Sequence, residues 1–293
     1  MREVWSSGWR WNTFLDVELA YLEALEAEGI APAGNAAHIR STVTMNPDRI
    51  DELEGSLRHD VIAFLTHVEE QAGDVTRFVH FGLTSSDMLD TVSAIQLGQA
   101  CSYVREELAG LEAALLGQAE KHKHTAMVGR THGMHAEATS FGLILLGWRE
   151  MVVRALKSFD DAVAGIMVGK LAGAVGNLAF GDPTREAAVL ARFGLTPEPA
   201  ATQIVARDRY ATLFTSMAVA GSVIDHIALN IRHLQRTEVG EAQEPFSTKQ
   251  RGSSAMPHKK NPIGCENVCG QARLLRGYAL AALEDVALWH ERD

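Results

Sequence analysis

The sequence predicts an all-α chain dominated by long helices, and three observations carry that prediction. Strand-like alternation is nearly absent along the chain. Apolar residues recur at four- and three-residue steps over three long stretches. Capping signals stand at the ends of those stretches and of shorter ones before them.

Near the N-terminus, "NTFLDVELAYLEALEAEG" and "RHDVIAFLTHVEEQAG" read as shorter helices closed by Gly29 and Gly73, since glycine readily takes the left-handed angles that end a helix. In "TSSD", Thr84 and Asp87 have the spacing of a capping box and open the first long helix. Its seam is Leu97, Cys101, Val104, Leu108, Leu111 and Leu115. The second seam is Phe141, Leu145, Trp148, Val152, Ala155 and Phe159. Asp182 followed by Pro183 is an N-cap with proline at the first helical position. The longest seam is Leu213, Met217, Ala220, Ile224, Ile227, Ile231 and Leu234. Asn261 with Pro262 repeats the Asp-Pro device, and the sequence then stays helix-favourable to Asp293, with Leu275, Tyr278, Ala282, Val286 and Trp289 on one side.

A four-three alternation is the heptad pattern of helices packed at a shallow angle. We therefore expect a small N-terminal helical domain over residues 1–84 and an elongated long-helix bundle over residues 85–293. No proline or glycine cap closes the last helix, so the chain reads as cut short there.

Composition narrows the function. A chain of 293 residues with a net charge of −10 lacks the basic face that nucleic acid as the main partner requires, although a local basic pocket for a small anion is compatible with it. The cysteines, Cys101, Cys265 and Cys269, are few and odd in number, which suits reduced thiols in the cytoplasm over a disulfide framework. Cys265 and Cys269 lack the second ligand pair of a zinc site. No apolar run approaches the roughly 20 residues of a membrane span, and "MREVWSSGWRW" is not a signal peptide. We expect a cytoplasmic protein.

Several short motifs could carry chemistry. In "GRTHGMHAEATSFG", His132 stands between a hydroxyl and a glycine, which fits a capping or buried histidine as well as a catalytic one. His132 and His135 have no third metal ligand at useful spacing. Arg58, His59 and Asp60 in "RHDV" fit an exposed polar first turn. Thr84 and Ser85 in "VHFGLTSSD" lie at a helix N-terminus, whose free N–H groups suit a carboxylate or phosphate; simple capping accounts for them almost as well.

"GSSAMPHKKNP" is harder to explain as a linker. Gly252 permits close backbone approach to a ligand. Serine is a poor base, and one used as such needs positive potential to favour its alkoxide. Lys259, Lys260 and the N-terminus of the helix after Asn261 would supply that potential and bear negative charge developing on a substrate.

This run is similar to the signature loop of the fumarase/aspartase superfamily, whose members make or consume fumarate by β-elimination. Together with "RHDV", "VHFGLTSSD", "GRTHGMHAE" and "WHERD", in matching order over nearly the whole chain, it resembles the adenylosuccinate lyase family within that superfamily. The resemblance implies cleavage of adenylosuccinate to AMP and fumarate, and the equivalent cleavage of succinyl-aminoimidazole carboxamide ribotide to AICAR. It implies Ser253 as general base, His132 as the acid that protonates the departing nitrogen, and His59 as a second active-site histidine. Arg58, Asp60, His80, Thr84, Ser85, Gln203, Lys259, Asn261 and Glu266 match substrate-contacting positions. No metal or organic cofactor is needed for this chemistry. The family assembles as a homotetramer with active sites shared between subunits. The resemblance also implies an N-terminal Arg-Tyr contact and, after "WHERD", a serine- and arginine-bearing segment and a third, C-terminal helical domain, none of which has a counterpart here, so the truncated chain is expected to be weak or inactive alone. A carboxymuconate cycloisomerase has a similar signature loop, but "RHDV" and "WHERD" weigh against it. A non-catalytic structural relative would be expected to have lost the acid or the base, and both His132 and Ser253 are in place.

Overall fold

The computed structural model describes residues 1–247, 249–256 and 258–292. Pro257 of the signature run and Asp293 of "WHERD" lie outside the described residues. Helices dominate, as the periodicity predicts. The chain divides into two compact units, one formed by residues 1–103, 163–207 and the segment from 287 onward, the other by residues 104–162 and 208–286.

The first unit begins with α1 (Ser7–Ala27), capped by Ser6, whose hydroxyl accepts the Trp9 N–H. After α2 (Asn35–Thr42), α3 (Pro47–Leu57) starts with Asn46 as N-cap and proline at its first turn, and α4 (Asp60–Ala72) is capped by His59. Gly73 has a φ of 64° and ends α4, and Gly29 has a φ of 73° just after α1, as expected of both. α5 (Ser85–Lys121) gives its part up to Tyr103 to this unit. Thr84 donates its backbone N–H to Asp87 Oδ2 at 2.7 Å, one half of the predicted capping box. The core is aromatic at its centre. Trp11 stacks on Phe64 at 5.8 Å, and Phe14 meets both rings edge-on at 5.1 and 5.5 Å. Leu22, Ile39, Ile50, Val61 and Met88 pack around them.

The second unit contains a feature that the helical reading missed. Strands β1 (Ala126–Thr131) and β2 (Met134–Ser140) form an antiparallel hairpin, pairing Ala126 with Ser140 and Thr131 with Met134, with a register shift between Val128 and Arg130. Its two turn residues, His132 and Gly133, have φ of 54° and 80°. Positive φ at both positions is the mark of the tight turn whose twist matches paired strands. α6 (Phe141–Ile166) follows and buries Leu145, Trp148, Val152, Ala155 and Phe159 of its predicted seam. It leads back into the first unit, where β3 (Val168–Gly169), α7 (Pro183–Ala191) and β4 (Thr196–Pro197) lie, β3 and β4 pairing in parallel. Asp182 caps α7 by accepting from the Thr184 and Arg185 N–H groups.

α8 (Asp208–Leu234) and α9 (Ile263–Glu284) complete the second unit. Leu115, Ala119, Leu145, Trp148, Val152 and Ile227 form its core. Gly221 of α8 lets Leu275 of α9 come close, since a Cβ there would lie 2.7 Å from Leu275 Cδ1. The predicted face of α9 is only partly in phase: Ala282 is buried but Tyr278 is exposed, Cys269, Ala272 and Ala279 supply the rest of the buried side, and Val286 and Trp289 lie beyond the helix. The helix also stops at Glu284 instead of running on. Among the described residues only α8 is long and apolar enough, by length and composition, to cross a membrane, which corrects the reading that no run comes near that length. Its Leu213, Ala220 and Ile227 are buried in the unit, as in the core helix of a packed bundle.

Candidate active site

The expected site residues fall into two groups, one in each unit. In the first unit, Arg58 caps α3 in the left-handed region, with φ of 57°. His59 is next and caps α4, its Nδ1 accepting the Ile62 N–H. That leaves Nε2 to carry the ring proton, and it lies 3.3 Å from Ser85 Oγ, joining two of the expected residues. Asp60 accepts its neighbour Val61's N–H at 2.8 Å and pairs with Arg10 at 2.9 Å. Arg10 itself lies over the Trp11 ring, a placement sequence reading did not anticipate.

His80 follows in the segment before α5, with φ of 61°, and Glu18 contacts both its backbone N–H and its ring. Asp87 accepts from the N–H groups of Thr84, Ala172 and Gly173 and is paired with Lys170; both members of the pair are fully buried. The start of α5, with Thr84 and Ser85, is thereby tied to the segment after β3. Gln203 is half-buried in a segment held by Asp90, whose carboxylate accepts the Val205 N–H at 2.7 Å and pairs with Arg207.

In the second unit, His132 is exposed at the hairpin turn, and its ring has no hydrogen bond among the described residues. The hairpin is fixed by Arg130, which makes a two-pronged pair with Glu241 at 2.8 and 2.7 Å. Ser253 is half-buried, and its Oγ accepts the N–H groups of Ala255 at 3.3 Å and Met256 at 3.2 Å. Gly252 is required here, because any Cβ would collide with the Lys259 carbonyl oxygen where the loop closes on itself. Asn261 closes the same loop, donating from Nδ2 to the Gly252 carbonyl at 2.9 Å.

Asn261 is therefore not the cap of α9. Glu244 takes that place, its two carboxylate oxygens accepting the Gly264 and Cys265 N–H groups at 3.1 and 2.8 Å. The positive end of α9, expected to face a substrate, holds this side chain instead. Gln235 extends the arrangement by accepting from the Glu244 N–H and donating to the Lys260 carbonyl, both at 2.9 Å. A cleft of about 900 Å³ opens beside it. Lys259, Asn261 and Glu266 line it, together with Arg232, Arg236 and Lys260; Ser253 and His132 do not. Among the described residues no cluster of histidine, cysteine and carboxylate side chains is placed to hold a metal ion.

The Lyase family model matches residues 20–277. The chain is 46% identical to an adenylosuccinate lyase of Synechocystis sp., over all of this chain and 68% of that protein. The adenylosuccinate lyases of Thermotoga maritima and Bacillus subtilis are 44% and 43% identical over the same shares. Among solved structures, a 3-carboxy-cis,cis-muconate lactonizing enzyme from Pseudomonas putida superposes with a TM-score of 0.89 at 28% identity, covering all of this chain and 67% of its own. A fumarate lyase from Mesorhizobium sp. gives 0.86 at 26%, with the same coverage.

Proposed function

The chain belongs to the lyase family and, at 46% identity over its whole length, groups with the adenylosuccinate lyases; from that premise we propose that it eliminates fumarate from adenylosuccinate to leave AMP. We extend the proposal to the same β-elimination from succinyl-aminoimidazole carboxamide ribotide, giving AICAR. In this reading Ser253 removes the proton beside the distal carboxylate of the succinyl group, and His132 delivers a proton to the departing nitrogen.

The observation that carries the assignment of the base is the pair of amide hydrogens on Ser253 Oγ. A hydroxyl oxygen that already accepts two N–H groups loses its own proton more readily, because the same donors strengthen onto the alkoxide. The cationic lining of the cleft, with Arg232, Arg236, Lys259 and Lys260 against the single carboxylate of Glu266, suits the negative charge of a succinyl-purine nucleotide. His59, Arg58, Asp60, His80, Thr84, Ser85 and Gln203 are proposed to contact substrate, as are Lys259, Asn261 and Glu266. His132 projects from an exposed turn, and its ring has no hydrogen-bond partner among the described residues, the placement needed by an acid that meets its substrate in a shared site.

The test is fumarate release from adenylosuccinate, with 3-carboxymuconate as the competing substrate. Release from the first and no lactonisation of the second supports the assignment; the reverse overturns it. We also propose a cytoplasmic homotetramer. Sedimentation at micromolar concentration should show a mass near four times the 31.8 kDa chain, and a clean monomer would count against it.

A further inference from the structure

Glu18 belongs to no motif, yet it is fully buried on α1 between Val17 and Leu19, which are also without exposure. A carboxylate in such a place is costly unless it is paired and hydrogen-bonded. Both of its oxygens turn to one residue. Oε2 accepts the His80 backbone N–H at 2.9 Å, and Oε1 lies 2.6 Å from His80 Nδ1. His80 holds a left-handed backbone, with φ of 61°, which a non-glycine residue keeps only where its surroundings enforce it. A single carboxylate therefore fixes both the backbone and the ring.

The neighbouring charges decide what form the ring takes. Among the described residues His80 is the only ion-pair partner of Glu18. Asp87 on α5 is paired with Lys170. Arg185 on α7 is paired with Glu28 and lies over the ring of Tyr21, the other titratable group on this side of α1. Burial alone would lower the pKa of His80, but the charge and hydrogen bond of Glu18, with a contribution from Asp87, outweigh it and raise the value above 6.5. Nδ1 is committed to Glu18, while Nε2 has no hydrogen-bond partner among the described residues, and the side chain keeps 16% of its exposure.

We infer that Glu18 is a positioning residue that holds His80 as an imidazolium, leaving its Nε2–H to bind an anionic group of the substrate, a carboxylate or a phosphate. This rests on the function proposed above, which supplies an anionic substrate. The sign of the pH dependence follows. The cation is present at low pH and is lost as pH rises through the raised pKa, so anion binding should persist past the ordinary histidine range and then weaken.

The experiment compares the full chain with its Glu18→Gln variant. Glutamine can still hydrogen-bond the ring and backbone but carries no charge. Imidazole NMR of the ligand-free protein should show His80 titrating above the ordinary histidine value in the wild type and at a lower pH in the variant, because a close opposite charge has been removed. Binding of AMP and of fumarate is then measured across that range. A loss of about tenfold or more confined to AMP places a phosphate on His80, and one confined to fumarate places a carboxylate there. A wild-type His80 midpoint at or below the ordinary value overturns the inference even if the variant fails to fold. An unchanged pH profile of binding in a folded variant overturns it as well. Failure of the proposed function is distinguishable, because the wild type would then bind neither AMP nor fumarate at any pH while the His80 titration and its shift in the variant would remain as described.

Discussion

Removing the carboxylate of Glu244 should loosen the first turn of α9 and with it the signature loop. The perturbation is Glu244→Ala, with Glu244→Gln as its neutral counterpart. The wild-type side chain accepts two N–H groups of the first turn, from Gly264 and Cys265, that the helix itself cannot satisfy. Loss of a side-chain cap costs about 0.5–2 kcal/mol, and loss of a negative charge at the positive helix end adds about 0.3–1 kcal/mol. The alanine variant should therefore lose about 1–3 kcal/mol locally, and glutamine about half of that, since it keeps one acceptor but no charge. Amide exchange reads this directly. Gly264 and Cys265 should exchange about 5- to 150-fold faster in Glu244→Ala, since each 1.4 kcal/mol is about tenfold, with amides near the C-terminal end of α9 little changed. Hydrogen bonding holds the Glu244 carboxyl below its ordinary pKa against the opposing effect of burial, so the stabilisation should be present above about pH 4.5 and fade as pH falls through the lowered value. Equal exchange in wild type and both variants would refute the assignment of Glu244 as the cap.

The other expectations rest on separate observations. Lys170→Met should destabilise the first unit by about 3–5 kcal/mol in urea unfolding, because it leaves Asp87 buried without its partner; simultaneous replacement of Asp87 by leucine should cost less than the two single effects combined. The Cys265 thiol, pushed up to about 12 by burial and by Glu244, should resist iodoacetamide at neutral pH and react faster in Glu244→Gln. Ser253→Ala and His132→Ala should each lower fumarate release about 100- to 10,000-fold, and the double variant should fall well short of the product of the two, because acid and base serve one elimination. Wild-type turnover in Ser253→Ala would remove serine from the mechanism.

The long helices were legible because burial along them follows a simple period. Leu145, Trp148, Val152 and Phe159 are buried where that period puts them. The hairpin was not, because most of β1 and β2 is exposed or half-buried and shows no inside-outside alternation to read. Its only local sign is the His132–Gly133 pair, whose glycine suits the second position of a tight turn. The phase of α9 was partly misread for a related reason. Apolar residues lie on both sides of it, and the buried side is the one with small residues that permit close packing against α8. Asn261 has the sequence position of a helix cap, yet the loop's closure on Gly252 takes its side chain, and the cap comes from Glu244, at a separation that local reading cannot see. Glu18 is likewise far in sequence from His80. A lone acid within the apolar run "VELAYL" was the one available signal.

These distant partners share a chemistry that reconciles the acidic composition with an anionic substrate. A net charge of −10 would by itself repel a phosphate or a succinyl group. Several of the acids are, however, paired or hydrogen-bonded within the chain rather than free charges. Glu18 is closed onto His80, Asp87 onto Lys170 and the Thr84 N–H, Glu241 onto Arg130 of the hairpin, and Glu244 onto the first turn of α9. Each of them holds in place a segment that carries a proposed catalytic or binding residue. The positive groups that line the cleft, among them Arg232, Arg236 and Lys259, then set the local potential, because a charge neutralised at hydrogen-bond distance contributes little field beyond it. A global excess of carboxylates and a cationic site are thus products of the same arrangement, in which acids position the loops and bases face the ligand.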